Sequence, residues 1–132
     1  MVLVDTSVWI HFFNGHETPQ TDKLDELLSS TVIVVGDLIL AEILQGFRSD
    51  KDYRQAKSLL TALELVSLTS VDLAIQSADH YRTLRKKGIT VRKTIDCLIA
   101  TYCIEMKTPL LFEDKDFNPF VSHLGLKSVL SE

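Results

Sequence analysis

Five acidic residues stand where an acid is costly to place. Asp5 follows the apolar run Val2-Leu3-Val4 directly. Glu42 is embedded in Leu38-Ile39-Leu40-Ala41-Glu42-Ile43-Leu44, with apolar neighbours at i−4, i−3, i−1 and i+1. Asp96 falls in the first turn of an apolar helical pattern, beside Ile99 and Ala100 on the wheel, and Asp114 and Asp116 come just after Leu110-Leu111-Phe112. Carboxylates in partly apolar surroundings lose hydration unless donors or a cation compensate. Several meeting in one cleft repel one another and imply a bound divalent ion. All-oxygen ligation suits Mg²⁺ or Mn²⁺ rather than zinc.

Each residue also has a local role that accounts for it singly. Asp5 is suited to cap a helix, Asp96 to sit at a helix N-terminus, and Asp114 and Asp116 to form a turn. An ion pair with Arg48 or Arg92 accounts for Glu42. The weight lies in the set, which needs a fold that brings its members together. Asp22, Asp25, Glu26, Asp50, Asp52 and Glu64 lie on polar faces and read as ordinary surface charge.

The basic residues cluster too. Arg82, Arg85, Lys86, Lys87, Arg92 and Lys93 place six of the fourteen positive charges in the stretch just before Asp96. Lys86 and Lys87 read as cations at a helix C-terminus. Arg92, nearest Asp96, is the candidate for binding a phosphate at the rim of an acidic cleft. His11, His16, His80 and His123 show no metal-ligand spacing, and Cys97 and Cys103 do not form a CxxC motif and read as core. Trp9, Phe12 and Phe13 read as core, with part of that cluster available as a partner surface.

The elements that must position these residues alternate. Strands are expected at Val2–Val4, Val32–Val35, Leu65–Leu68 and Leu110–Phe112, with an edge strand at Leu126–Leu130. Helices are expected from Thr6, over Leu24–Leu28, from Leu38 to about Phe47, over Tyr53–Leu63, and from a capping box at Thr69–Asp72 to Lys87, where Gly88 stops the last. A further helix from Thr94 puts Ile95, Leu98, Ile99, Tyr102, Cys103 and Met106 on one face. Apolar strands separated by helices predict an α/β fold of three layers around a mostly parallel sheet. In such sheets ligands gather outside the carboxyl ends of the strands, where Asp5, Asp114 and Asp116 would lie.

The chain has 132 residues, 45% hydrophobic and 24% charged, with a formal net charge of −4. That predicts one globular domain over 1–132 and excludes a polybasic nucleic-acid coat. Two cysteines make no disulfide framework, and the longest apolar zone, Val32 to Leu44, is broken by Gly36, Asp37 and Glu42. Without a recognisable leader at Met1–Asp5, a reduced cytoplasmic setting is expected.

The opening Val4-Asp5-Thr6-Ser7-Val8-Trp9-Ile10 resembles the start of PIN-domain ribonucleases, particularly VapC-type toxins of bacterial toxin–antitoxin pairs. Leu40-Ala41-Glu42-Ile43, Thr94-Ile95-Asp96-Cys97-Leu98-Ile99-Ala100 and Leu110-Leu111-Phe112-Glu113-Asp114-Lys115-Asp116-Phe117 fit the same pattern in order and spacing. The resemblance implies a PIN-like α/β/α fold that cuts RNA with Mg²⁺ or Mn²⁺. It implies a homodimer inhibited by a VapB-like antitoxin. Asp5, Glu42, Asp96 and Asp114 would match the family's acidic quartet, with Asp116 an alternate metal ligand. Thr6 and Ser7 would match the hydroxyls that hold metal or phosphate. Glu113 departs from the neutral residue of many relatives and implies extra negative charge. Two rivals are a catalytically silent PIN-like module that binds RNA or protein, and a phosphoacceptor role for Asp5; Thr6-Ser7 lacks the DxD spacing of such phosphatases.

Overall fold

The computed structural model describes residues 1–130. Ser131 and Glu132, the end of the span expected as one domain, lie outside the described residues. Four strands form one sheet: β1 (Val2–Val4), β2 (Ile33–Gly36), β3 (Glu64–Val66) and β4 (Leu110–Leu111), in the order β3-β2-β1-β4 and parallel throughout. Val2 to Val4 and Ile33 to Val35 are β-branched or leucine and fully covered, as the interior of a parallel sheet requires. Leu3 pairs with Val34 on one side and Leu110 on the other, which makes β1 the central strand.

The helices are α1 (Thr6–Phe13), α2 (Pro19–Leu28), α3 (Asp37–Gln45), α4 (Asp50–Thr61), α5 (Val71–Lys86), α6 (Thr94–Glu105) and α7 (Asn118–Leu124), with a 3-10 turn at Lys115–Phe117. From β1 the chain steps outward to β2 and then β3, and afterwards crosses back to place β4 on the far side of β1. Right-handed crossovers running in opposite directions put their helices on opposite faces. The contacts agree: α1 packs on α2 and α3 and α3 on α4, whereas α5 packs along α6 and against α7. The result is the expected three-layer α/β/α architecture. The reversal puts the topological switch point between β1 and β4 at the carboxyl edge of the sheet, the place where open α/β sheets bind ligands.

Several boundaries differ from the sequence expectation, each for a local reason. The helix expected at Leu24–Leu28 begins at Pro19, because Thr18 and Thr21 bond each other's backbone amides as a capping box. Ser70 alone caps α5, accepting from the Leu73 amide, so no capping box opens that helix. The edge strand expected at Leu126–Leu130 reduces to one bridge between Leu110 and Ser128: the Leu126 amide is taken by the Phe120 carbonyl, and Ser128 Oγ donates to Leu130. β3 is not apolar and covered throughout, since it forms the sheet edge with Leu65 about half exposed. α6 is enclosed on most sides rather than amphipathic, and Met106 at its end is exposed. Trp9 is fully buried while Phe12 and Phe13 pack partly against the core, and both cysteine thiols are buried and free. Among the described residues, no helix is long and apolar enough to cross a membrane.

Gly36 is needed for its missing side chain. A Cβ there would lie 2.3 Å from Cγ and Cδ1 of Leu68, which is itself fully buried. Asp37 then ties the loop down, its Oδ1 accepting from the Leu68 amide at 2.9 Å. Gly36→Ala is expected to lower stability by about 1–3 kcal/mol through overpacking, read from urea unfolding midpoints. The loss should shrink in a Leu68→Ala background, where room for the methyl exists.

Candidate metal centre

The parallel sheet carries Asp5 and the Asp114 loop to the same edge, and one backbone bond fixes their relation. The Asp5 amide donates to the Leu111 carbonyl at 2.9 Å, so the two strands release their acidic residues side by side. Asp5 is the N-cap residue of α1 by position, yet its side chain caps no helix amide. Oδ2 instead accepts from Ser7 Oγ at 3.0 Å.

Glu42 arrives from the middle of α3 and is half-buried. Its partner is neither Arg48 nor Arg92: Thr6 Oγ1 donates to Glu42 Oε1 at 2.7 Å. Asp96 lies in the first turn of α6, where helix amides favour a negative charge. It is buried, and its Oδ2 has no hydrogen-bond partner. Oxygens of Asp96, Asp114 and Asp116 all come within 4.8 Å of one another. Asp114 Oδ1 accepts the Asp116 amide at 2.9 Å, which shapes the 3-10 turn that presents both.

The charges of this group press on one another. Burial lifts the Asp5 carboxyl to about 6, against the pull of the Ser7 hydroxyl and the neighbouring amides of Thr6 and Ser7, while Glu42 adds to the rise. Burial also lifts Asp96 to about 6, the charges of Asp5, Asp114 and Asp116 push the same way, and Lys93 opposes them. Asp5, Asp96, Asp114 and Asp116 are thus near enough to feel one another, with Glu42 joined through Asp5 and Thr6. A buried carboxylate with one oxygen lacking a donor, in a group with two more carboxylates, is a demand for positive charge. Hard oxygen ligands fit a divalent cation of the magnesium or manganese kind.

The family profile of the PIN domain matches residues 2–120. The chain belongs to the PIN-domain family. Ribonuclease VapC11 of Mycobacterium tuberculosis is 30% identical over 120 residues, covering 89% of this chain and 90% of the relative. The fold is shared with VapBC2 from Rickettsia felis bound to a promoter DNA fragment, at a TM-score of 0.75 and 20% identity over the full length of both chains. It is shared also with the sarcin-ricin loop cleaving toxin VapC20 of M. tuberculosis, at a TM-score of 0.69 and 19% identity over 99% of this chain and all of the other.

In this PIN domain the remaining candidates are placed differently from the acids. Thr6 and Ser7 have their hydroxyls on Glu42 and Asp5, so both orient carboxylates. Arg92 bonds Asp116 across the rim. Glu113 does not add its charge to the three-carboxylate group: Thr18 Oγ1 donates to its Oε1 at 2.9 Å, and His11 Nδ1 lies 2.6 Å from its Oε2. The histidine contact does not meet hydrogen-bond geometry. Sequence reading missed His11 and Thr18 as anchors of the Asp114 loop. A Thr-Pro-x-Thr helix start marks Thr18, but nothing local announces a contact between α1 and a loop a hundred residues on.

Raised carboxyl pKa values carry a sign for stability. The native state keeps protons on Asp5 and Asp96 between about pH 4 and 6 that the unfolded chain has released, so their contribution to stability falls as pH rises through that window. In metal-free buffer at pH 7, Asp96→Asn should therefore be more stable than the parent by about 1–2 kcal/mol. Thermal melts from pH 4 to 7 should show the two curves converging toward acid. A variant destabilised at pH 7 would mean that Asp96 already has a compensating partner.

Proposed function

We propose that this PIN domain is a metal-dependent endoribonuclease that hydrolyses RNA phosphodiester bonds, and that it is the toxin of a VapBC-type toxin–antitoxin pair. The observation that carries the reading is the three-carboxylate group of Asp96, Asp114 and Asp116 at the carboxyl edge of β1 and β4, in which the buried Asp96 also has an oxygen without a hydrogen-bond partner among the described residues. The relationship to VapC ribonucleases supplies the substrate class.

Asp5, Asp96 and Asp114 would hold Mg²⁺ or Mn²⁺. Asp114 is preferred to Asp116 because Asp116 has both oxygens on Arg92, whereas Asp114 has given only Oδ1 to a backbone amide. A divalent cation bound there supplies Lewis acidity to phosphodiester hydrolysis. The protein's own groups do the positioning. Ser7 fixes the carboxylate plane of Asp5, and Thr6 fixes that of Glu42. With Oε1 occupied by the Thr6 hydroxyl, Glu42 has Oε2 free to accept a proton from an attacking water. Arg92, together with exposed Lys93, Arg82 and Arg85, gives a −4 protein a local patch for flanking phosphates.

The partners follow from the same reading. A VapB-like antitoxin and a second copy of the chain are the expected protein partners, in a cytoplasmic setting. The solved neighbours include a toxin–antitoxin complex from Klebsiella pneumoniae, similar in fold at a TM-score of 0.73. Exposed Ile10 beside Phe13 and Phe47 between α1 and α3 offers apolar surface for such an association.

The test is cleavage of total bacterial RNA, with the new ends mapped by sequencing. The parent protein should cut at a small number of sites with Mn²⁺ or Mg²⁺ and stop on chelation. Asp96→Asn should lose at least about 100-fold in rate while remaining folded, and Thr6→Val, which unties Glu42, about 10-fold or more. Undiminished cleavage by folded Asp96→Asn would defeat the assignment.

A further inference from the structure

Asp116 belongs to the three-carboxylate group, yet it already has a cation beside it. Arg92 Nη2 donates to Oδ1 at 3.0 Å and to Oδ2 at 2.9 Å, one nitrogen straddling both oxygens. The Asp116 side chain is 23% exposed and that of Arg92 is 74% exposed, so the guanidinium reaches in from solvent over the carboxylate. At the inner end Asp96 is buried, and its Oδ2 has no donor among the described residues. The group therefore has a cation at its outer end and lacks one at its inner end.

We infer that Arg92 fills the outer cation position of the substrate-free protein, so that the centre takes up one divalent ion at Asp5, Asp96 and Asp114 and excludes a second from Asp116. This rests on the metal reading above and specifies how many ions that site accepts. A single nitrogen shared by two oxygens acts as a point charge; it does not form the two-nitrogen fork that makes Arg–carboxylate recognition rigid. Removing the guanidinium leaves Asp114 and Asp116 uncompensated at the carboxyl edge of the sheet, and a second divalent ion then has an unoccupied bidentate carboxylate to bind. Lys93 carries the same charge one residue on but forms no ion pair among the described residues, acting on Asp96 only through space. It reports what loss of charge alone does.

The experiment is a Mn²⁺ titration by calorimetry, with bound ion counted by electron paramagnetic resonance. The parent and Lys93→Ala should each bind one Mn²⁺. Arg92→Ala, an exposed substitution whose fold is checked by thermal melting, should bind two, and Arg92→Ala with Asp116→Asn should return to one. Two ions on the parent protein, one on Arg92→Ala, or two on the double variant would each overturn the inference while leaving the metal centre standing. No Mn²⁺ on the folded parent would overturn the metal reading itself, and the inference with it.

Discussion

The structure depends on holding mutually repelling carboxylates at one edge of a parallel sheet. Asp5 and Asp96 are buried, Asp114 and Asp116 press on Asp96, and Glu42 presses on Asp5. Nothing in the hydrophobic effect favours that arrangement; it is sustained by what surrounds it. Leu3, Val34, Leu110 and Leu111 are fully buried and set the strand register from which the acids project. Ser7, Thr6, the first turn of α6 and Arg92 each offset part of the charge. The uncompensated remainder is at Asp96.

Rigidity around the centre has the same logic. α5 is pinned to α6 by Cys97 Sγ donating to the Ser77 carbonyl at 3.2 Å and by the contact of His80 Nδ1 with Thr101 Oγ1 at 3.0 Å. These bonds hold the helix that delivers Asp96. On the other side, Glu113 is clasped by Thr18 and His11, which fastens the start of the Asp114 loop to α1 and α2. The acids themselves contribute little to cohesion, so the scaffold must hold them from behind.

Much of this was legible in the chain. The strand-then-acid pattern at Val2–Asp5 and at Leu110–Asp114 located both sides of the switch point, because a parallel sheet sends all its carboxyl ends to one edge. Burial of Asp96 was legible from its apolar neighbours on the wheel. The sequence could not show how the hydroxyls and the arginine are spent. The pairing of Thr6 with Glu42, of Ser7 with Asp5 and of Arg92 with Asp116 is decided by tertiary geometry, which the sequence does not carry. The same limit hid His11. Boundaries failed where a single bond rules: the Thr18–Thr21 box lengthens α2, and the Phe120 carbonyl takes the amide that an edge strand at Leu126 would have needed.

The central claim is that the carboxylate group is built around a divalent cation, and diffraction from crystals grown with Mn²⁺ tests it most directly. Data collected above the manganese absorption edge should give an anomalous peak bounded by Asp5, Asp96 and Asp114, with Asp96 Oδ2 among its nearest atoms. An ordered centre without that peak, with Asp96 Oδ2 bonded to a side-chain donor of the protein, would contradict the account.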